Sequence, residues 1–332
     1  MYWFEKLTGF PEPNYSEVRK NLEVVDGYLI SKINGKKYYI GELEIPTLKV
    51  LKSEVAKYPK EKGALQIDEI VGNAQDLHKE PANNGAMFQV ASQFNLLEMV
   101  GPEISPENGV SRYAEDYTQG PACAIACGAA TIYRNYFVPV NGQIGQTRQN
   151  QIDCLDKIGE LMDNYGNRLW SMKNGYVLSN EEGLFEIENH LNQLSSDDYQ
   201  TLKESLKIGV QWDAEVTIFN DQQRVSQAFC SALPIGYSHI SADHWESFAK
   251  LVLDATYEAT FYASLLNYYK TGNNKLFLTL VGGGAFRNKM IWIIDAIRKA
   301  AKKFEDAPLD VKIVSFGSSK LIVQNLVKEF NF

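Results

Sequence analysis

The chain has 332 residues, of which 33 are basic and 41 acidic, so its formal net charge is −8. Hydrophobic residues make up 45% and charged residues 22%, a balance typical of a globular protein of one large domain or two smaller ones. This composition excludes a disordered chain, a fibrous repeat and a coiled coil. The acidic balance also argues against nucleic acid as a partner.

The N-terminus has neither a basic start nor an apolar core of signal-peptide length. No stretch approaches the roughly 18 apolar residues that span a bilayer, and the longest apolar run, 276–286, is interrupted by three glycines. We therefore expect a cytoplasmic protein without a membrane partner, or one acting in a host cytosol if it is an effector.

Residues 1–62 are predicted to form an accessory N-terminal segment. The run 27–40 contains Asn34-Gly35 between two apolar stretches, which predicts a β-hairpin. Residues 47–58 have a helical pattern. Because these elements precede every strand that delivers a loop to a site, we expect residues 1–60 to lie outside the catalytic sheet.

Residues 63–332 are predicted to form the main unit, in which strands and helices alternate. Strands are expected at 86–92, 227–233, 275–281 and 311–316, and helices from Pro121 and at 149–163, 244–269 and 288–304. The acidic and polar stretch 180–212 looks like an insertion or lid. The alternation predicts an α/β fold with a largely parallel or mixed sheet between helices, and a ligand site beyond the carboxyl ends of the strands.

The four cysteines, Cys123, Cys127, Cys154 and Cys230, are too sparse for a disulfide framework in a chain of this length. No further ligands accompany the Cys123–Cys127 pair, so we expect buried thiols, no metal site and no cofactor.

The most specific local pattern is the run 276–288, in which an apolar strand leads into Gly282, Gly283 and Gly284 and then into a helix. Glycines allow the backbone to approach a ligand closely, and a helix N-terminus adds N–H groups and partial positive charge. The run is neither a P-loop nor the spaced glycine pattern of a dinucleotide turn. It predicts a diphosphate site, with a tight turn that binds no ligand as the alternative.

The sequence Gly-Gly-Gly-Ala-Phe at 282–286, followed by a helix and a last strand ending at Phe316-Gly317, resembles the C-terminal part of poly(ADP-ribose) glycohydrolases. Through them it resembles the macrodomain superfamily. The resemblance implies a macrodomain-like mixed sheet sandwiched between helices, with ADP-ribose or an ADP-ribosylated protein as partner. It places ligand contacts at Asn73, Asn95, Gly282, Gly283, Gly284, Ala285, Phe286 and Arg287.

The Gln-Glu-Glu catalytic triplet of poly(ADP-ribose) glycohydrolases is absent, and an acidic stretch from Glu98 to Gln119 stands in its place. The resemblance therefore extends to divergent macrodomains that remove ADP-ribose from arginine. Cleavage at the anomeric carbon passes through an oxocarbenium-like transition state and needs a carboxylate nearby. Glu107 and Asp116 are the first candidates for that carboxylate, with Glu98 in support.

Two other functions are alternatives, and the first of them uses the same glycine loop. One is a module that binds ADP-ribose without cleaving it, and the other is an unrelated α/β nucleotide hydrolase. The loop 230–239, which follows a predicted strand, is expected to line the same pocket.

Overall fold

The computed structural model describes residues 2–218 and 223–330, and its central element is a seven-stranded mixed sheet. The described strands are β1 (Leu22–Val25), β2 (Tyr28–Ser31), β3 (Lys37–Tyr39), β4 (Glu42–Glu44), β5 (Gln66–Val71), β6 (Met87–Ala91), β7 (Pro139–Val140), β8 (Gln143–Ile144), β9 (Ser171–Lys173), β10 (Tyr176–Leu178), β11 (Gly209–Glu215), β12 (Arg224–Cys230), β13 (Lys275–Leu278) and β14 (Asp310–Ser315). The described helices are α1 (Trp3–Thr8), α2 (Tyr15–Asn21), α3 (Leu48–Val55), α4 (Ala74–Lys79), α5 (Gln119–Ala126), α6 (Gly128–Tyr136), α7 (Asp156–Leu161), α8 (Glu181–Gln193), α9 (Ser196–Glu204), α10 (Ala242–Thr271), α11 (Met290–Lys303) and α12 (Leu321–Phe330).

The strand order in the central sheet is β4-β11-β12-β6-β13-β14-β5. Strands β12, β6, β13, β14 and β5 run parallel to one another, whereas β11 is antiparallel to both of its neighbours. The carboxyl ends of five adjacent strands therefore meet at one edge of the sheet. The predicted α/β class with a mixed sheet is confirmed.

Both faces of the sheet are covered by helices, as neighbouring residues of β6 show. The Phe88 ring stacks on His78 of α4, with centroids 3.7 Å apart. The next side chain, Gln89, donates from Nε2 to Thr260 Oγ1 of α10 at 2.9 Å. Successive strand residues point to opposite faces, so α4 and α10 lie on opposite sides. Helix α10 also packs against α3, α8, α9 and α11, which makes it the centre of one layer.

The N-terminal segment contributes directly to the sheet. Its predicted hairpin is confirmed as β2 and β3, which join β1 in a small separate sheet. Strand β4, however, pairs with β11 through Leu43 and Gln211, so the expectation that residues 1–60 lie outside the catalytic sheet is wrong. The residues of β11 are largely buried, and β4 supplies backbone partners that this strand would otherwise lack.

The predicted insertion at 180–212 also reaches the sheet, because its last residues, 209–212, belong to β11. The preceding part forms α8 and α9, both packed on α10. Acidic residues of this stretch lie in the first turns of both helices, Glu181 and Glu182 in α8 and Asp197 and Asp198 in α9, where they suit the helix dipole. In the described ranges, no helix is both long enough and apolar enough to cross a membrane.

Candidate active site

A cavity of about 640 Å³ lies at the carboxyl ends of four adjacent parallel strands. Its wall includes Ser92 after β6, Ala232 after β12, Leu280 after β13 and Phe316 after β14. This is the edge at which open α/β sheets bind ligands. The predicted contribution of the loop 230–239 is confirmed by Ala232 and by Tyr237, which also lines the cavity.

The glycine loop, residues 282–286, forms one side of the cavity. Buried side chains hold both of its ends by hydrogen bonds. The Tyr257 hydroxyl on α10 donates to Thr279 O at 2.8 Å and accepts from Val281 N at 3.0 Å. At the far end of the loop, Asn288 Nδ2 donates to Leu233 O at 2.8 Å. The loop is therefore anchored at one end to α10 and at the other to the segment after β12.

Three successive backbone N–H groups of this loop face no acceptor from the chain. Gly284, Ala285 and Phe286 all line the cavity, and their N–H groups make no hydrogen bond within residues 2–218 and 223–330. Successive free N–H groups in a turn form a concave anion site suited to phosphate oxygens. Helix α11 begins only at Met290, so the turn itself, rather than the helix N-terminus, supplies the predicted N–H donors.

Arg287, the cation that the sequence predicted beside the diphosphate, does not line the cavity. Arg287 has a positive φ of 55° and its side chain lies beside Gly236, outside the residues that line the cavity. The left-handed backbone conformation at Arg287 turns its side chain away from the wall formed by the preceding residues. Lys320, after β14, lines the cavity instead.

Of the predicted catalytic residues, Asp116 lines the cavity and has one carboxylate oxygen without a hydrogen bond among the described residues. It is half-buried in the wall, and its Oδ1 accepts from Thr118 N at 2.8 Å. In the described part of the chain, its Oδ2 accepts no hydrogen bond. Burial, the nearby Tyr237 and the Asp116 carboxylate all raise the pKa of Tyr176, which places Asp116 close to the aromatic side of the cavity.

Glu98 also contributes to the wall, but its carboxyl group is covered by protein. Both oxygens are inaccessible to solvent and have no hydrogen-bond partner among the described residues. Burial raises the pKa of Glu98 to about 8, against the opposing influence of the Arg134 guanidinium and the Tyr113 hydroxyl. The carboxyl group is therefore mainly neutral at pH 7.

The structure does not bring Glu107, Asn95 or Asn73 to the cavity wall. Glu107 accepts from Arg148 N at 2.9 and 3.0 Å. Asn95 is buried and accepts from Leu97 N at 3.1 Å, and Asn73 caps α4. Each of these side chains accepts a hydrogen bond from a backbone N–H in a turn or at a helix start. Asn and carboxylate side chains suit this role as well as they suit ligand binding.

An aromatic wall lines the cavity, and one of its three members, Tyr176, was missed by the sequence reasoning. The rings of Tyr176, Tyr237 and Phe286 lie 5.1 to 5.8 Å apart, centroid to centroid. The Tyr237 hydroxyl donates to Val100 O at 3.3 Å, which ties this wall to the segment after Glu98. Tyr176 comes from the β9–β10 hairpin, and nothing in its local sequence distinguishes it from a core tyrosine.

The four cysteines are buried and free, as expected. Burial raises the pKa of Cys127 and of Cys230 to about 12, so neither thiol is a nucleophile near neutral pH. Within the two described ranges, no group of three or more His, Cys, Asp or Glu side chains is placed to hold a metal ion.

No protein-family model matches the sequence, and no curated protein matches it at a significant level. Solved structures of bacterial poly(ADP-ribose) glycohydrolases are similar to it. For the Deinococcus radiodurans protein in complex with ADP-ribose, the identity is 8% and the TM-score 0.45, over 87% of this chain and 93% of that chain. For the Thermomonospora curvata protein bound to the inhibitor ADP-HPD, the identity is 11% and the TM-score 0.43, over 95% of each chain. Both TM-scores are below 0.5, so the function has to be argued from the cavity itself.

Proposed function

We propose that this protein binds ADP-ribose in the cavity and hydrolyses the bond between its distal ribose and an acceptor. The observation that carries the proposal is the joint presence of the free N–H groups of 284–286 and the carboxylate of Asp116 in one cavity. The N–H groups suit a diphosphate, and the carboxylate suits the reacting sugar. A cavity of about 640 Å³ lies within the range typical of small-molecule sites.

The lining residues favour one direction for the ligand. With the diphosphate on the glycine loop, the distal ribose points towards Asp116 and the aromatic wall. The adenine then lies at the β14 end, where Met290, Val314 and Phe316 present apolar surface and Lys320 presents a cation. The base is placed there because these four residues offer no carboxylate for the hydrolysis step, and apolar surface suits the faces of a base.

Asp116 Oδ2 is the base in this mechanism. Thr118 N holds the other oxygen, Oδ1, so the orientation of the carboxylate is fixed. A water molecule attacks the anomeric carbon and gives its proton to Asp116, while the bond to the acceptor breaks. The acceptor atom takes up a proton from solvent, and Asp116 then returns its proton to solvent. Positioned proton transfer of this kind contributes typically about 10²–10⁴-fold to the rate.

The neighbouring carboxyl groups serve other purposes. Glu115 lines the cavity but is paired with Arg112 Nε at 3.2 Å and accepts from the Tyr2 hydroxyl at 3.3 Å. Glu98, neutral at pH 7, completes the wall without adding a second negative charge beside Asp116. The Asp116 carboxylate favours a cationic acceptor, and the guanidinium of arginine is the side chain that fits it best.

A module that binds ADP-ribose without turnover is the second candidate. It is favoured by the covered oxygens of Glu98, because an enzyme with two working carboxyl groups would expose both. Release of ADP-ribose from arginine-, glutamate- and serine-linked substrates separates the two functions. We expect wild type to release ADP-ribose, with arginine as the preferred linkage.

Asp116→Asn should bind ADP-ribose as wild type does yet release it about 10²-fold or more slowly. Glu107→Gln is the matched control, since Glu107 lies in the same acidic loop but outside the cavity wall, and it should retain turnover. Tight ADP-ribose binding with no release from any linkage would favour the binding module. Equal losses in both variants would remove Asp116 from its proposed role.

A further inference from the structure

The carboxylate of Glu12 is bound to the loop that leads into Asp116, although about a hundred residues separate them in sequence. Val110 N donates to both oxygens of Glu12 at 2.9 Å, and Ser111 N donates to Oε2 at 2.7 Å. The Tyr136 hydroxyl donates to Oε1 at 2.8 Å. The carboxylate thus joins the N-terminal segment, the acidic loop and helix α6.

The local sequence suits Glu12 to this contact. Pro11 and Pro13 flank it, and their rings fix the backbone on both sides, so the carboxylate is presented from a stiff segment. On the other side, Gly109 has φ of 83°, and a Cβ built there would lie 2.4 Å from Glu12 Oε2. Only glycine allows the loop to approach the carboxylate this closely.

Two further contacts fix the same turn, residues 111–115, from the N-terminal segment. Trp3 Nε1 donates to Ser111 O at 3.2 Å, and the Tyr2 hydroxyl donates to the Glu115 carboxylate at 3.3 Å. Asp116 follows directly, and its N–H donates to Tyr113 O at 3.2 Å. The orientation of Asp116 therefore depends on a turn that the N-terminal segment holds at both ends.

We propose that Glu12 is a positioning residue for hydrolysis: it holds the turn 111–115 so that Asp116 faces the cavity. This inference rests on the proposed function. Three donors converge on Glu12, and a carboxylate accepts from all of them. A glutamine has one acceptor oxygen, and its NH₂ group would face a donor, so Glu12→Gln loosens the turn while keeping the size of the side chain.

The experiment compares wild type, Glu12→Gln and the control Glu17→Gln, which removes an exposed carboxylate from the same segment. Amide hydrogen exchange reports the turn directly, and Val110 and Ser111 should exchange faster only in Glu12→Gln. ADP-ribose affinity should stay within about twofold of wild type, since the glycine loop is untouched. For release of ADP-ribose, kcat should fall by about tenfold to a hundredfold with little change in KM, because a small misplacement of a catalytic group costs about that much.

If Glu12→Gln proves too unstable, Trp3→Phe removes the bond to Ser111 O while keeping an aromatic ring, and it should lower kcat in the same direction. Unchanged kcat in an active protein, or a loss confined to KM, would overturn the positioning role alone. A wild type that binds ADP-ribose but releases none would overturn the proposed function, and with it the catalytic consequence argued for Glu12. Unchanged exchange at Val110 and Ser111 would show that Glu12 does not hold the turn.

Discussion

Glu98 makes the stability of this protein depend on pH in a definite direction. Burial raises the pKa of its carboxyl group to about 8 in the folded state, whereas the ordinary pKa of a glutamate is 4.5. Between these values the folded state binds more protons than the unfolded state. The stabilisation is therefore complete below pH 4.5 and is lost as pH rises through the folded pKa of about 8.

Glu98→Gln should remove this dependence, because the amide does not titrate. Urea unfolding at pH 5 and pH 9 measures the pH dependence of the free energy of unfolding. From pH 5 to pH 9 this free energy should fall less in the variant than in wild type. Burial also raises the pKa of Asp153, to about 6, but this contribution is common to both proteins and cancels in the comparison. Parallel pH dependence in the two proteins would show that Glu98 ionises normally in the folded state.

At the scale of the element, the glycine loop combines two glycines with different requirements. Gly282 has φ of 80°, and a Cβ there would lie 2.5 Å from the Cβ of Ala232. Gly284 has no atom within 4 Å of its Cβ position. The first glycine is thus needed for the fold, whereas the second leaves space in front of the free N–H groups.

Gly284→Val should therefore unfold like wild type but bind ADP-ribose poorly, because the branched side chain stands where the diphosphate meets the backbone. Thermal melts with and without ligand check this, since a hundredfold excess over Kd stabilises wild type by about 2.7 kcal/mol. Gly282→Val is the comparison and should lose about 1–3 kcal/mol without any ligand. A full ligand shift in Gly284→Val would remove the diphosphate from this loop.

The elements that sequence reasoning located correctly are those whose signal is local. The strand β13, the three glycines and helix α11 follow one another, so a single window of residues specifies them. Tyr176 could not be found in this way, because it reaches the cavity through a hairpin that only tertiary packing places beside Phe286. Asn95 was predicted as a ligand contact because it follows a strand. An Asn in that position also suits a turn, and here its side chain accepts from Leu97 N and closes the turn.

At the scale of the whole molecule, residues 1–60 were expected to lie outside the central sheet, yet β4 pairs with β11 in it. Composition could not predict this, because it carries no information on which distant strands pair. Strand β4 is three residues long, too short to carry a periodic signal, yet it completes the edge beside β11. Helix α3 packs on α10, and its Leu48 and Leu51 belong to the main hydrophobic core. A truncation that begins at residue 63 therefore removes part of that core together with the edge strand.

Leu51→Ala tests this integration with one side chain far along the sequence from the cavity. Leu51 is 1% exposed, and truncating a buried leucine costs about 2–5 kcal/mol, a large part of the roughly 5–15 kcal/mol that stabilises a typical domain. The whole protein should unfold at lower temperature in a single transition. Val50→Ala, on the same helix but 46% exposed, is the control and should change stability by no more than about 0.5 kcal/mol. If Leu51→Ala instead gave an early transition for the N-terminal segment while ADP-ribose still stabilised a later one, residues 1–62 would be a separate unit after all.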